Sequence, residues 1–331
     1  MSRPTADALR SVLDIAPHGS ARQVLAAVDA ALNCLPAPGG QARYSEAEWR
    51  ALPEDLYEEH DLFFGAVRVT GNPVEILTRT MLESLRSQLN DTVSAGLGLG
   101  ADAWEQLLAA YWAAFGVLWR VGVAGTAFES TARFHQVSQV RIDGVSVDPM
   151  VRWRLGHQTF FALIQALIAT VGCLEEALAA GGEAEEAVAG LLLEDATRLM
   201  AGSGAAMRYA GDFTRTQYAE VVRPAMMPPH INPKFSGLQL RDHRILLKQL
   251  NRVKRLVESA GPAVHESYQQ LLDAMSGAYD AHITVCARFG GDQEPSLRMP
   301  GSDSRAVQVL ERFRERRTAS ITPERAAEQA R

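Results

Sequence analysis

Three cysteines in 331 residues, Cys34, Cys173 and Cys286, are too few to build a disulfide framework. Long apolar runs are also lacking. The longest stretches, 107–119 and 160–174, fall short of the roughly 20 residues a bilayer span needs, and Gln165 interrupts the second. The first residues, MSRPTADALRSVLDIAP, have no apolar core of a secretory signal. Neither sign of charge dominates. Lys+Arg total 33 against 39 Asp+Glu, for a net charge of −6 and a pI near 5.8, so the basic excess that nonspecific nucleic-acid binding requires is missing. These absences predict a cytoplasmic protein with neither nucleic acid nor membrane as a partner. What is there is ordinary globular usage, 47% hydrophobic and 22% charged, which excludes disordered, collagenous and low-complexity classes for the body of the chain.

Several chemistries lack their motifs. There is no Glu-x-x-His pair for a di-iron bundle site, no His-Glu-x-x-His, no phosphate-binding Walker loop, no Gly-x-Gly-x-x-Gly after a strand and no Cys-x-x-Cys-His. The run Gly96-Leu97-Gly98-Leu99-Gly100 is followed by no Lys-Ser/Thr and reads as a flexible connection between helices.

Helical periodicity dominates. Residues 6–13 and 23–32 read as short amphipathic helices, and Ser45 with Glu48 resembles a capping box. Residues 73–89 and 102–121 read as longer helices. The second is apolar nearly all round, which places it centrally, and its stripe of Trp104, Leu108, Trp112, Phe115 and Trp119 reads as core rather than as a cofactor wall. Residues 153–178 and 183–200, joined at Gly181-Gly182, read as an antiparallel helical hairpin. A second pair, 238–259 and 262–289, breaks at Gly261-Pro262. Pro224, Pro228, Pro229 and Pro233 make 222–233 a structured loop. Residues 136–147 instead alternate around Asp143-Gly144, the signal of a small β-hairpin. The expectation is an all-α bundle with one β-hairpin near 136–148. One domain spans 1–304, and a charged helix near 305–317 leads into a frayed tail ending at 331.

Eight histidines are present. His18, His60 and His265 sit among polar neighbours, and His135 abuts the expected hairpin. His157, His230, His243 and His282 fall in or beside the apolar C-terminal half. His282 and Cys286 lie four apart, on one helix face. That spacing alone favours a small buried hydrophobe beside a core histidine. A haem ligand with a cysteine at the porphyrin edge is the sharper alternative, and a zinc pair lacks a further nearby Cys. Arg223 follows Tyr218 and precedes the prolines; a guanidinium held by a rigid loop suits a carboxylate clamp, but taken alone a surface arginine is the better reading. Ser236 is a candidate N-cap for a helix whose first turns carry His243.

Taken in order, these pieces resemble the histidyl-ligated haem enzymes of the tryptophan 2,3-dioxygenase superfamily. The carrying residues are His157-Gln158-Thr159 at the head of a long helix, Tyr218 shortly before Arg223, the stretch Phe235 to Arg241, and His282 followed by Val285, Arg288 and Gly290. The dioxygenases' Thr-Gly-rich substrate loop is replaced by Gly290-Gly291-Asp292-Gln293-Glu294-Pro295, and Cys286 and His243 are not dioxygenase features. The His243…His282-x-x-x-Cys286 pattern is similar to that of the 3-methyl-L-tyrosine hydroxylase family of saframycin-type pathways. The motif-bearing resemblance covers about 153–304 and reverses the bland reading of Cys286.

The resemblance implies a fold of the tryptophan 2,3-dioxygenase type. It implies a haem with His243 and His282 as axial iron ligands and a single thioether to Cys286. It also implies His157 as the distal acid–base group and Arg223 with Tyr218 at the substrate carboxylate. The implied reaction converts 3-methyl-L-tyrosine to 3-hydroxy-5-methyl-L-tyrosine, with hydrogen peroxide or with oxygen plus a reductant, in tetrahydroisoquinoline antibiotic biosynthesis. A homodimer is allowed. The rival readings are an indole-ring dioxygenase of the same superfamily and a non-catalytic bis-histidine haem sensor or carrier.

Overall fold

The computed structural model describes residues 2–15, 20–35, 61, 63–69, 71–124, 134–135, 147–227, 230, 241–293 and 304–323. In chain order these form α1 (Arg3–Asp14), α2 (Ala21–Cys34), β1 (Ala66–Val67), α3 (Pro73–Ala95), α4 (Ala101–Ala124), β2 (Phe134–His135), α5 (Pro149–Ala180), α6 (Glu183–Ala210), α7 (Arg241–Val257), α8 (Pro262–Arg288) and α9 (Ala306–Ile321). The expected all-α architecture is what is observed. The expected capping box at Ser45, the hairpin core at Asp143-Gly144 and the Ser236 cap lie outside the described residues. β2, just upstream of that hairpin, pairs antiparallel with β1, with Ala66 opposite His135 and Val67 opposite Phe134.

Local chemistry sets the helix starts. The Asn72 carboxamide accepts from the backbone N–H groups of Val74 and Glu75, and Pro73 occupies the first turn. Asp148 does the same for Met150 and Val151 ahead of α5, again followed by proline. α5 therefore begins at Pro149, four residues before the position its apolar pattern marks. At its other end Gly181 and Gly182 take φ values of 68° and 106° and turn the chain back into α6. The predicted helical hairpin is thus present. α6 runs ten residues beyond the expected end at Met200, because Ser203, Gly204, Ala205 and Ala206 are helical and buried but carry little apolar contrast.

The centre of the bundle is α5 against α6, not α4. α6 packs on α5, α8 and α4 at once. Small residues allow the close approach. A β-carbon on Gly156 of α5 would fall within 2.6 Å of the Ala210 backbone nitrogen, and one on Gly204 would lie 3.0 Å from Ala278 Cα of α8. α4 contributes one buried face, with Leu107, Ala110, Tyr111, Ala114, Phe115 and Leu118, while Trp104, Trp112 and Trp119 are half-buried. α5 is long and apolar enough to cross a membrane, but 67% of its most apolar window is buried within the protein.

α9 is longer than expected and does not end frayed at 318. Ile321 is buried, and its carbonyl accepts from Tyr268 Oη at 2.9 Å.

A buried ion network ties the bundle together. Arg152 is 1% exposed. Its Nε donates to Asp91 Oδ2 of α3 at 2.8 Å, its Nη1 to Asp212 Oδ2 at 3.0 Å, and its Nη2 to the Gly96 carbonyl at 2.7 Å. Tyr209 donates to the same Asp91 oxygen. The Gly98 N–H donates to Asp212 at 2.9 Å, so the glycine-rich connection read as flexible is held by side chains at both glycines. Arg152→Met leaves Asp91 buried without its cation. It should lower the unfolding free energy by about 3–5 kcal/mol, measured as a fall in the guanidinium midpoint. A loss under about 1 kcal/mol would show that the network does not clamp the bundle.

Candidate active site

The three residues of the His157-Gln158-Thr159 tripeptide have three separate destinations, because successive helical residues point about 100° apart. His157 turns toward a cavity. Gln158 Nε2 donates to the Phe64 carbonyl at 2.6 Å. Thr159 joins a buried polar cluster, with its hydroxyl 3.0 Å from Ser84 Oγ, which lies 2.7 Å from Tyr111 Oη. Tyr111 donates onward to Gln88 at 3.0 Å, and burial pushes its phenol up so that it stays neutral. Gln158 thereby holds the Phe64 segment, and the Phe64 ring stacks on both Trp153 and His157, with centroids at 5.2 and 4.9 Å.

The ring of His157 is fixed from the other side. Its Nδ1 lies 2.7 Å from the Trp153 carbonyl oxygen, an acceptor only, so Nδ1 carries the proton and Nε2 carries the lone pair in the neutral form.

The cavity has a volume of about 310 Å³. All six residues singled out from the sequence line it: His157, Tyr218, Arg223, His243, His282 and Cys286. They arrive on four pieces of local structure: His157 on α5, Tyr218 and Arg223 on one short turn, His243 on α7, and His282 with Cys286 on α8. Tyr218 and Arg223 bracket a π-helical turn, Tyr218–Val222, closed by the Arg223 N–H donating to the Tyr218 carbonyl. In an α-helix residues five apart diverge by about 140°, and the wider turn keeps both on the cavity side. This corrects the expected loop from 222 onward: Arg223 opens a further helical turn, Arg223–Ala225, with Pro224 tolerated in its first positions. Tyr218 stacks on Phe289 at 4.3 Å, and Phe289 on Phe213 at 5.3 Å.

That stack fixes the end of α8, where His282 and Cys286 sit one turn apart. The end is also capped, with Gly290 at φ 90° and the Gly291 N–H donating to the Cys286 carbonyl at 2.8 Å. α6 approaches here as well, since a β-carbon on Gly211 would lie 2.6 Å from Val285 Cγ1.

His243 enters from the first turn of α7. Its neighbour Asp242 is buried, with Oδ2 3.6 Å from Nη1 of Arg68, which also donates to Asp61 at 2.8 Å. Burial first, and the cation of Arg317 second, push the His243 imidazole down to about 3. It is therefore neutral at physiological pH, the form that can give a lone pair to a metal.

Among the described residues the lining holds three histidines, two arginines and no carboxylate, on walls that include Phe64, Trp153, Phe161, Ile164, Leu246 and Met275. Sequence reasoning missed Phe64, Tyr279 and Arg317. Phe64 and Arg317 come from segments with no motif, whereas Tyr279 lies one turn before His282 on the same helix, a spacing that could have pointed to it.

The site's geometry can be set beside known proteins. A model of the family described as SfmD 3-methyl-L-tyrosine peroxygenase matches residues 1–267. The 3-methyl-L-tyrosine peroxygenase of Streptomyces lavendulae is 35% identical over 274 residues, covering 82% of this chain and 72% of the relative. The chain belongs to the SfmD 3-methyl-L-tyrosine peroxygenase family. A crystal structure of SfmD, reduced by soaking with sodium hydrosulfite, superposes with a TM-score of 0.65 at 28% identity, over 85% of this chain and 90% of that one.

The family is one of haem enzymes. The residues present fit that group. Two imidazoles from different helices face one apolar cavity, one of them held neutral, with a thiol one turn from the other. The 1–267 match takes in His157, Tyr218, Arg223 and His243 but stops short of His282 and Cys286.

Proposed function

We propose that this protein hydroxylates 3-methyl-L-tyrosine ortho to its phenol with hydrogen peroxide. The products are 3-hydroxy-5-methyl-L-tyrosine and water, in a cytoplasmic pathway to tetrahydroisoquinoline antibiotics. The observation that carries this reading is the convergence of all six candidate side chains on one cavity in a member of this family. When bound, haem supplies the two-electron oxidation by peroxide. Everything else falls to the chain. His243 and His282 would hold the iron and Cys286 would hold the porphyrin through a single thioether; with both imidazoles bound, peroxide would need one of them to leave, or oxidation would occur at the haem edge. A covalent link limits cofactor loss in an oxidising pocket.

His157 is the acid–base group. With Nδ1–H committed to the Trp153 carbonyl, Nε2 is the atom that takes a proton and returns it. A histidyl ligand donates less electron density than a thiolate, so a haem held this way would depend more on this residue for moving the peroxide's protons. Arg223 holds the amino-acid carboxylate by its fork of donors, with Tyr218 as the second substrate-binding residue; that both line the same cavity supports this reading. Phe64, Trp153 and Phe161 form an aromatic wall suited to a substituted ring. We assign 1–304 to one haem domain. α9 adds a wall to its pocket through Val309, Leu310, Phe313 and Arg317.

The deciding experiment is a competition assay with peroxide, with products identified by mass. 3-Methyl-L-tyrosine should outperform tyrosine by about 1–3 kcal/mol, the value of one well-packed methyl group, and both should outperform tryptophan. Formylkynurenine as the main product would move the protein to indole dioxygenation. No turnover of any aromatic amino acid would leave a haem carrier.

His157→Ala should keep haem and helix content and lower turnover by roughly 10²–10⁴. Unchanged turnover would return His157 to the core. In the wild type, haem mass should stay on the peptide containing Cys286 after acid–acetone extraction, and Cys286→Ala should release it. Complete extraction from the wild type would end the thioether assignment.

A further inference from the structure

The proposed reaction gives Arg317 no binding or chemical role, yet its guanidinium is built into the pocket wall. Nη1 donates to Tyr279 Oη at 2.6 Å and lies 3.4 and 3.5 Å from Nδ1 and Nε2 of His243. The guanidinium carbon sits 5.4 Å from the centroid of the Phe313 ring and 5.9 Å from that of Tyr279. Among the described residues no carboxylate comes within ion-pair distance of it, and no residue lining the cavity is acidic. Tyr279 presents a phenol on the same side of α8 as His282, one turn away.

A guanidinium has five N–H donors, and one hydrogen bond to a phenol uses one of them. Arg317 is half-buried, so its guanidinium keeps only part of its hydration between apolar walls, and an anion that reaches its remaining donors is favoured there. Its planar fork matches a carboxylate, and a phenol beside it adds an O–H donor to the same oxygen pair.

We propose that Arg317 and Tyr279 form a carboxylate-binding subsite of this pocket, separate from Arg223. Two carboxylates can reach it: a propionate of the haem, or the carboxylate of the amino acid. The first source rests on the haem reading of the pocket and the second does not. In either case the subsite lies beside His243, so the group that pairs with Arg317 is anchored next to the proposed iron ligand.

The test uses full-length protein in a Cys286→Ala background, so that haem uptake is reversible. Uptake of haem and of haem dimethyl ester is followed by Soret absorbance. Binding of 3-methyl-L-tyrosine and of 4-methylphenol is followed by equilibrium dialysis. If the source is a propionate, Arg317→Met should weaken haem binding roughly tenfold to a hundredfold, the value of a charge-assisted hydrogen bond, and leave the diester unchanged. If the source is the amino acid, the same loss should appear for 3-methyl-L-tyrosine and not for 4-methylphenol. Tyr279→Phe keeps the ring and should shift the same ligand in the same direction by severalfold. Should Arg317→Met lose helical circular dichroism, Arg317→Lys and Tyr279→Phe decide between the sources. A wild type that takes up no haem overturns the proposed function, and the dialysis arm still decides the subsite. Folded variants that bind all four ligands like the wild type would overturn the proposal.

Discussion

A buried arginine is expensive unless its donors are paired, and the pairing of Arg152 locks three distant pieces of chain to one side chain. Its partners come from α3, from the connection between α3 and α4, and from the residues just after α6. No rearrangement that separates those pieces can leave the charge satisfied. The network therefore fixes the first turns of α5, and with them the position of His157 five residues on. It fixes the end of α6 too, where Tyr209 joins the network and Gly211 meets Val285 of α8. The turn that carries Cys286 is thus positioned by a chain of contacts that begins at a salt bridge.

The pocket reverses that electrostatic logic. Around Arg152 the carboxylates are supplied by buried side chains of the protein, whereas the described residues that line the cavity include none. Arg223 and Arg317 face the same space as three histidines, and among the described residues no acid lines it. A low-dielectric cavity with an excess of positive charge selects for ligands that bring carboxylates with them, whether amino acid or porphyrin. The aromatic and methionine walls then favour flat, apolar bodies between those charged ends.

Much of the fold was legible because helices advertise themselves twice, by apolar period and by their ends. Asn72-Pro73, Asp148-Pro149 and Gly181-Gly182 are start and stop signals with a mechanism. The end of α6 was not legible, because Gly and Ala packed at close range look like weak helix to a hydrophobicity pattern. The six cavity residues were legible through the order and spacing of a family pattern. Arg152 was not. In sequence it is indistinguishable from Arg154 two residues on, and only the fold makes one buried and the other exposed. Phe64 and Arg317 were hidden for the same reason, since they reach the cavity through tertiary packing alone, whereas Tyr279 stood one turn before His282 and was legible from that spacing.

The wall that α9 contributes has a consequence in time. His157 and Arg317 are separated by about 160 residues of synthesis, roughly 8–30 s at ordinary ribosomal rates. During that interval α5, α6 and the aromatic side of the cavity exist without their last partner. The half-built pocket is then a wide apolar trough, the kind of surface that aggregates or recruits a chaperone. The cavity is complete only once the helix bearing Arg317 has been made and packed.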